Sequence, residues 1–236
     1  MQYSKLKEVL SGLEKQIKIK FANKDLLANA FVHRSYLNEN EDEVKVDNER
    51  LEFLGDAVLE MVTTEYLYEK FPETGEGQLT TFRSALVKGK HLAEVARCIN
   101  LGQYLLLSNG EEKSGGRSKA YILANAVEAL IGAIYLDRGF MTAHKFVGQF
   151  ILANLGDILK KGLHVDKKSK FQETAQETRG ITPVYKVLSE EGPDHDKRFE
   201  VGAFLGEEIV GKGKGSSKQN AEQDAATVAL KNLNWD

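Results

Sequence analysis

The sequence is poor in the residues that staple or stiffen a chain. Of 236 residues, one is cysteine, three are proline and one is tryptophan. Cys98 by itself cannot form an intramolecular disulfide, so packing must hold the chain together, and a reducing, cytoplasmic setting is expected. The opening stretch MQYSKLKEVL has no apolar core of signal-peptide length, and no run reads as a membrane span, so no membrane partner is expected. Positive charge is not in excess either. Lys and Arg number 32 against 35 Asp and Glu, a net charge of −3, so a nucleic-acid partner would have to be recognised through a local arrangement of cations. The five histidines, at 33, 91, 144, 164 and 195, show no metal-ligand spacing. GEEIVGKG (206–213) imitates the glycine spacing of a phosphate-binding loop, but Gly213 stands where Ser or Thr is required and no helix follows directly. No nucleotide cofactor is expected.

What the chain does have is ordinary globular composition, 42% apolar and 28% charged, arranged in two differently patterned parts. Up to about residue 153 apolar positions recur every three or four residues without a convincing alternating strand. This predicts an all-α first domain (1–153) with helices near 4–16, 24–34, 48–70, 76–88, 90–98, 118–137 and 140–154. GDILKKGLHVDKKSK (156–170) then turns to Lys and Asp, and 154–166 reads as a linker. From 167 to 235 the pattern becomes helix, strand, strand, strand, helix, a small α+β (αβββα) domain. Its strands are VYKVLSE, RFEVGAFL and EEIVGKG, and Ser216 or Ser217 can cap a last helix that lays Ala221, Ala225, Ala229 and Leu233 against the sheet.

NERLEFLGDAVLE (48–60) is the stretch that asks for chemistry. At 100° per residue, Glu49, Glu52, Asp56 and Glu60 share one stripe, with Leu51, Leu54, Val58, Met61 and Val62 opposite as the expected buried stripe. Two carboxylates about 4 Å apart repel by roughly 4 kcal/mol at an effective dielectric near 20. A solvated acidic face is the plain reading. Against it, no Lys lies within the stripe, and Phe53 stands among the acids. YILANAVEALIGAIYLD (121–137) is apolar nearly all round, so a buried helix is expected, and Glu128 is its only ionisable group between Tyr121 and Tyr135. A buried carboxylate without a partner is too costly to keep charged. Asn125 lies three residues earlier on the same face. If Asn125 and Glu128 meet the first stripe, they form a nest of oxygen ligands suited to a hard divalent cation such as Mg²⁺.

NERLEFLGDAVLE closely resembles the signature of the ribonuclease III family, and ILANAVEALIGAIYLD resembles its second catalytic segment. HRSY (33–36), GEGQLTTFRSALV (75–87) and GGRSKAYILAN (115–125) match further stretches in order. The resemblance implies an all-helical, homodimeric endonuclease that hydrolyses double-stranded RNA with Mg²⁺, or Mn²⁺ as a substitute, leaving 5′-phosphate and 3′-hydroxyl ends. It implies catalytic roles for Asp56 and Glu128, a metal-ligand set of Glu52, Asp56, Asn125 and Glu128, and supporting acids at Glu49 and Glu76. Phe53 matches an aromatic residue that plugs a pocket on the partner subunit. His33, before Arg34, reads as holding a loop. Substrates implied are ribosomal-RNA precursors, structured messenger RNAs and transfer-RNA precursors in a cytoplasm. One position departs: the family most often has Asp where this chain has Asn125, which keeps a carbonyl ligand but removes a charge. A tolerated variant, a weakened metal site and an introduced substitution are all compatible with that, and the alternative function is a double-stranded-RNA-binding dimer with weakened or lost cleavage.

PVYKVLSEEGPDHDKRFEV and GKGKGSSKQNAEQDAATVAL resemble the double-stranded-RNA-binding domain. The implied contacts are Gln172 and Glu173 on the first helix, Pro193 and His195 in a loop, and Lys218 at the start of the last helix, where free N–H groups favour phosphate. Gln219 replaces a second basic residue usual there. From Asp166 on, 13 acidic residues stand against 11 basic ones, so binding must depend on where the charges sit. Lys212 and Lys214 read equally well as a solvated turn.

Overall fold

Two glycines, 77 residues apart in sequence, let two helices cross with no side chain between them. They sit in the helices here termed α4 and α8 in a computed structural model that describes residues 2–160, 167–193 and 197–235. The chain forms two compact units with a boundary at 164/165.

The first unit runs α1 (Tyr3–Ile17), α2 (Lys24–Asn29), α3 (Arg34–Glu39), α4 (Glu49–Lys70), α5 (Glu76–Val87), α6 (Gly89–Cys98), α7 (Asn109–Lys113), α8 (Ala120–Arg138), α9 (Phe140–Phe150) and α10 (Leu155–Lys160). α8 is its axis, because Ile122, Val127, Leu130, Ile131 and Ile134 point in different directions and are all buried. By length and composition this helix could cross a membrane, contrary to the expectation that no run approaches a span; 61% of that window is buried inside the unit, where its apolar surface meets the other helices. The helix read at 24–34 ends at Asn29, and a second short helix begins only at Arg34. Val32 pairs with Leu106 as an isolated bridge, and the His33 side chain caps α3 by accepting from the Ser35 N–H. A pairing with a residue 74 positions away overrides local periodicity there. Residues 155–160, expected in the linker, also form a helix. Leu155 and Ile158 of α10 are buried in the first unit's core, so the first unit extends past 154.

The second unit is α11 (Lys167–Arg179), β1 (Val184–Glu191), β2 (Arg198–Leu205), β3 (Glu208–Gly215) and α12 (Lys218–Asn232), with an antiparallel sheet ordered β1-β2-β3. Phe171 and Ala175 of α11, Val201 and Ala203 of β2, and Ala221, Ala225 and Ala229 of α12 make its core. In GEEIVGKG, Gly206 takes a positive φ of 64° between β2 and β3, and the other two glycines are explained by packing. A Cβ on Gly211 would lie 2.4 Å from the Ala225 carbonyl oxygen, and one on Gly213 would lie 2.0 Å from the Ala225 nitrogen. Alternate glycines on the inner face of β3 therefore admit α12 at backbone contact, while Lys212 and Lys214 point outward. These lysines are strand residues, not a turn.

Candidate active site

The crossing of α4 and α8 builds the site. A Cβ on Gly55 would lie 1.7 Å from the Glu128 carbonyl oxygen, and one on Gly132 would lie 2.2 Å from that of Leu51. With backbones this close, side chains one turn away on both helices share a small space. Glu52 and Asp56 flank Gly55 on α4, while Asn125 and Glu128 precede Gly132 on α8. Leu51, Val58, Leu59 and Val62 turn the rest of α4 into the core. Met61 does not follow them: it is 61% exposed, and Leu59, not placed in the buried stripe from sequence, is fully buried. The core-facing stripe is thus rotated away from Met61.

Electrostatics bind the four residues into one unit. Burial pushes the Glu128 carboxyl up to about 7, and the charges of Asp56 and Glu52 add to it. Burial likewise raises Glu52, reinforced by Glu49, Asp56 and Asp47, while a hydrogen bond from Asn125 pulls in the other direction. The Asn125 amide is therefore a donor to Glu52, which an ionised Asp could not be. No cation is among the groups acting on Glu52 or Glu128. Among the described residues no three Asp, Glu, His or Cys side chains converge tightly enough to form a metal cage by themselves. Three mutually repelling carboxylates with an amide beside them nevertheless fit a hard divalent cation, which takes oxygen ligands and keeps several waters.

The outer acids of the stripe are neutralised from other elements. Arg34, the first residue of α3, places Nη1 3.2 Å from Glu49, and Arg83 of α5 places Nε 3.0 Å from Glu60. Neither arginine was singled out from sequence; HRSY marked the region of Arg34, but pairing across elements leaves no local spacing. Glu76, expected as a supporting acid, is exposed in the first turn of α5 and is not among the charges acting on Glu52 or Glu128. Two further histidines lie among the described residues. His91 is buried with Nε2 3.3 Å from the Ile151 carbonyl oxygen, and His144 faces Glu65 at 3.5 Å.

Phe53 is 81% exposed beside the acids. Met61 and Tyr68 continue its face of α4 at 61% and 74% exposure. A shallow recess lined by Glu60, Met61, Thr64, Glu65, Tyr68 and Arg83 lies along the same face. In the second unit Gln172 and Glu173 are exposed on α11, Pro193 is exposed, and His195 lies outside the described residues. Ser217 caps α12 by accepting from the Asn220 N–H at 3.2 Å. Lys218 and Gln219 are exposed in its first turn, with Lys218 Nζ 5.7 Å from the Phe199 ring centre.

The comparisons agree with this division. Residues 23–155 match the family model described as Ribonuclease-III-like, and residues 167–233 match the double-stranded RNA binding motif. The chain is 47% identical over 225 residues to Ribonuclease 3 of Borreliella burgdorferi, covering 95% of this chain and 91% of that one. It is 42% identical over 231 residues to Ribonuclease 3 of Geobacillus thermodenitrificans, covering 98% and 94%. The nuclease domain of ribonuclease III from Campylobacter jejuni matches in structure with a TM-score of 0.57 and 43% identity, covering 61% of this chain and 97% of that one. With a helical unit whose crossing gathers acids, and a sheet-and-helix unit matching an RNA-binding motif, this chain belongs to the ribonuclease III family.

Proposed function

We propose that the protein is an endoribonuclease that hydrolyses phosphodiester bonds in double-stranded RNA with Mg²⁺, leaving 5′-phosphate and 3′-hydroxyl ends. The observation that carries this reading is the grouping of Glu52, Asp56, Asn125 and Glu128 at the α4–α8 crossing, in a chain that also has a double-stranded RNA binding motif. Those four residues would hold the cation, Asn125 through its carbonyl oxygen, and Asp56 and Glu128 are assigned the catalytic role. A bound divalent cation supplies positive charge that offsets the carboxylates and stabilises charge developing on the phosphodiester. The Asn125 amide holds Glu52 in place, and the half-buried setting of Glu52 and Glu128 keeps bulk water from screening the site. No Ser, Cys or His nucleophile is needed, and 5′-phosphate with 3′-hydroxyl ends fit water attacking phosphorus while the ribose 2′-hydroxyl is a bystander.

The working form is a homodimer in which Phe53, Met61 and Tyr68 are covered by a second copy. Their exposure on one helix face supports this, as does the region involved in dimer formation named for the Campylobacter jejuni nuclease domain. Natural substrates are ribosomal-RNA precursors, structured messenger RNAs and transfer-RNA precursors in the cytoplasm. The presence of all three carboxylates argues against a binding-only dimer. Incubating the protein with a duplex RNA, with and without Mg²⁺, tests the proposal. Mg²⁺-dependent internal cuts with 5′-phosphate ends are expected, and binding without cuts would establish the other function.

A further inference from the structure

HRSY leads to a contact whose purpose the nuclease reading leaves open. The segment carrying Arg34 is fastened on two sides. On one, Leu106 N–H donates to the Phe31 carbonyl at 2.8 Å, His33 N–H donates to the Leu106 carbonyl at 3.1 Å, and Ser108 N–H donates to Ser35 Oγ at 3.1 Å. On the other, Asn48, which precedes α4, donates its backbone N–H to the Val32 carbonyl at 2.9 Å and its side-chain amide to that of Ala30 at 3.3 Å. His33 then caps α3. All this fixes Arg34 over the first turn of α4, where Nη1 lies 3.2 and 3.3 Å from the two oxygens of Glu49.

The pair so mounted is poorly placed to stabilise the fold. The Arg34 and Glu49 side chains are 65% and 51% exposed, and exposed ion pairs contribute little. Glu49 is also one of the charges acting on Glu52, so Arg34 stands one carboxylate away from the acidic nest. Nε and Nη2 of Arg34 make no hydrogen bond among the described residues, leaving most of its five N–H donors available. A polyanion approaching the nest meets repulsion from Glu52, Asp56 and Glu128, and Arg34 is a cation on an anchored backbone at the edge of that field.

We infer that Arg34 is an RNA-backbone-binding residue of the nuclease unit: its guanidinium bridges Glu49 and a phosphate next to the bond being cut, setting the strand's position over Glu52, Asp56 and Glu128. The inference rests on the nuclease reading. A planar guanidinium can hold Glu49 through Nη1 and a phosphate through Nε and Nη2 at once, whereas a lysine ammonium offers only a point charge.

The test uses the full-length protein and a labelled blunt RNA duplex in EDTA, with affinity measured across a salt series. Arg34→Ala should weaken binding, and the slope of log affinity against log salt should become shallower by about one, as for one lost phosphate contact. Arg34→Lys should keep the slope but lose part of the affinity. Both variants should keep the wild-type melting temperature to within about 2 °C, since the pair is exposed. In cleavage with Mg²⁺, KM should rise more than kcat falls for Arg34→Lys. An unchanged affinity and slope in Arg34→Ala would overturn the assignment while leaving the nuclease reading intact. A large fall in melting temperature with an unchanged slope would make Arg34 a structural residue. Wild-type protein that did not bind the duplex would remove both.

Discussion

Gly55 of α4 and Glu128 of α8 are in backbone contact: a Cβ on the glycine would lie 1.7 Å from the glutamate's carbonyl oxygen. The same contact that packs the two helices also sets the distance between their acids. Gly55→Ala must push the helices apart. Overpacking costs about 1–3 kcal/mol, and because the obstacle is backbone the upper end is expected, lowering Tm by on the order of 5–10 °C. Thermal denaturation checks this. Cleavage measured well below the new Tm should fall further than the unfolded fraction explains, because Glu52 and Asp56 move relative to Glu128. A folded variant with unchanged cleavage would show that the separation does not matter.

Glu128 makes the metal-free protein pH-sensitive in a definite direction. Its carboxyl is raised from the ordinary 4.5 to about 7, so between those values the folded chain binds more protons than the unfolded one. The contribution of this group to stability is therefore fully present below about 4.5 and is lost as pH rises through about 7. Melting curves in EDTA should show it, and Glu128→Gln should flatten that part of the profile. The same variant should abolish cleavage while leaving duplex binding nearly unchanged, since the proposed RNA contacts lie elsewhere. A Glu128→Gln protein that still cuts at the wild-type rate would remove Glu128 from the catalytic set.

Asn125→Asp replaces a hydrogen-bond donor to Glu52 by a fourth negative charge. The metal-free protein should melt a few degrees lower, and added Mg²⁺ should raise its Tm more than it raises the wild type's. The Mg²⁺ concentration for half-maximal cleavage should fall, with less change in rate at saturation, because a more anionic ligand set binds a hard cation more tightly. Equal Mg²⁺ dependence in both proteins would place Asn125 outside the ligand set.

Phe53→Ala should loosen the proposed dimer. Truncating an aromatic hot spot commonly costs about 2 kcal/mol or more, so the dimer dissociation constant should rise by more than roughly tenfold. Sedimentation across a concentration series measures it. The melting temperature of the separated protomer should hardly change, since the ring is 81% exposed in the single chain. Identical association in both proteins would mean that Phe53 is not covered by the partner.

The sequence by itself determined whatever repeats over a few residues. Helical periodicity located α4, α5 and α8 to within about two residues, alternation and β-branched residues located the three strands, and the αβββα order followed. The acid stripe and the position of Asn125 three residues before Glu128 were equally local. Contacts between elements were not, because they depend on which backbone surfaces meet. Only the tertiary structure decided that the buried face of α4 excludes Met61, that α10 belongs to the first core and that Val32 pairs with Leu106. It also separated the acids by role: Glu49 and Glu60 received arginines from α3 and α5, while Glu52, Asp56 and Glu128 were left facing one another. The interior glycines offered a partial signal, since each weakens a helix by about 1 kcal/mol against alanine and so asks for a reason. The reason is a backbone contact across 77 residues of sequence, which no local pattern encodes.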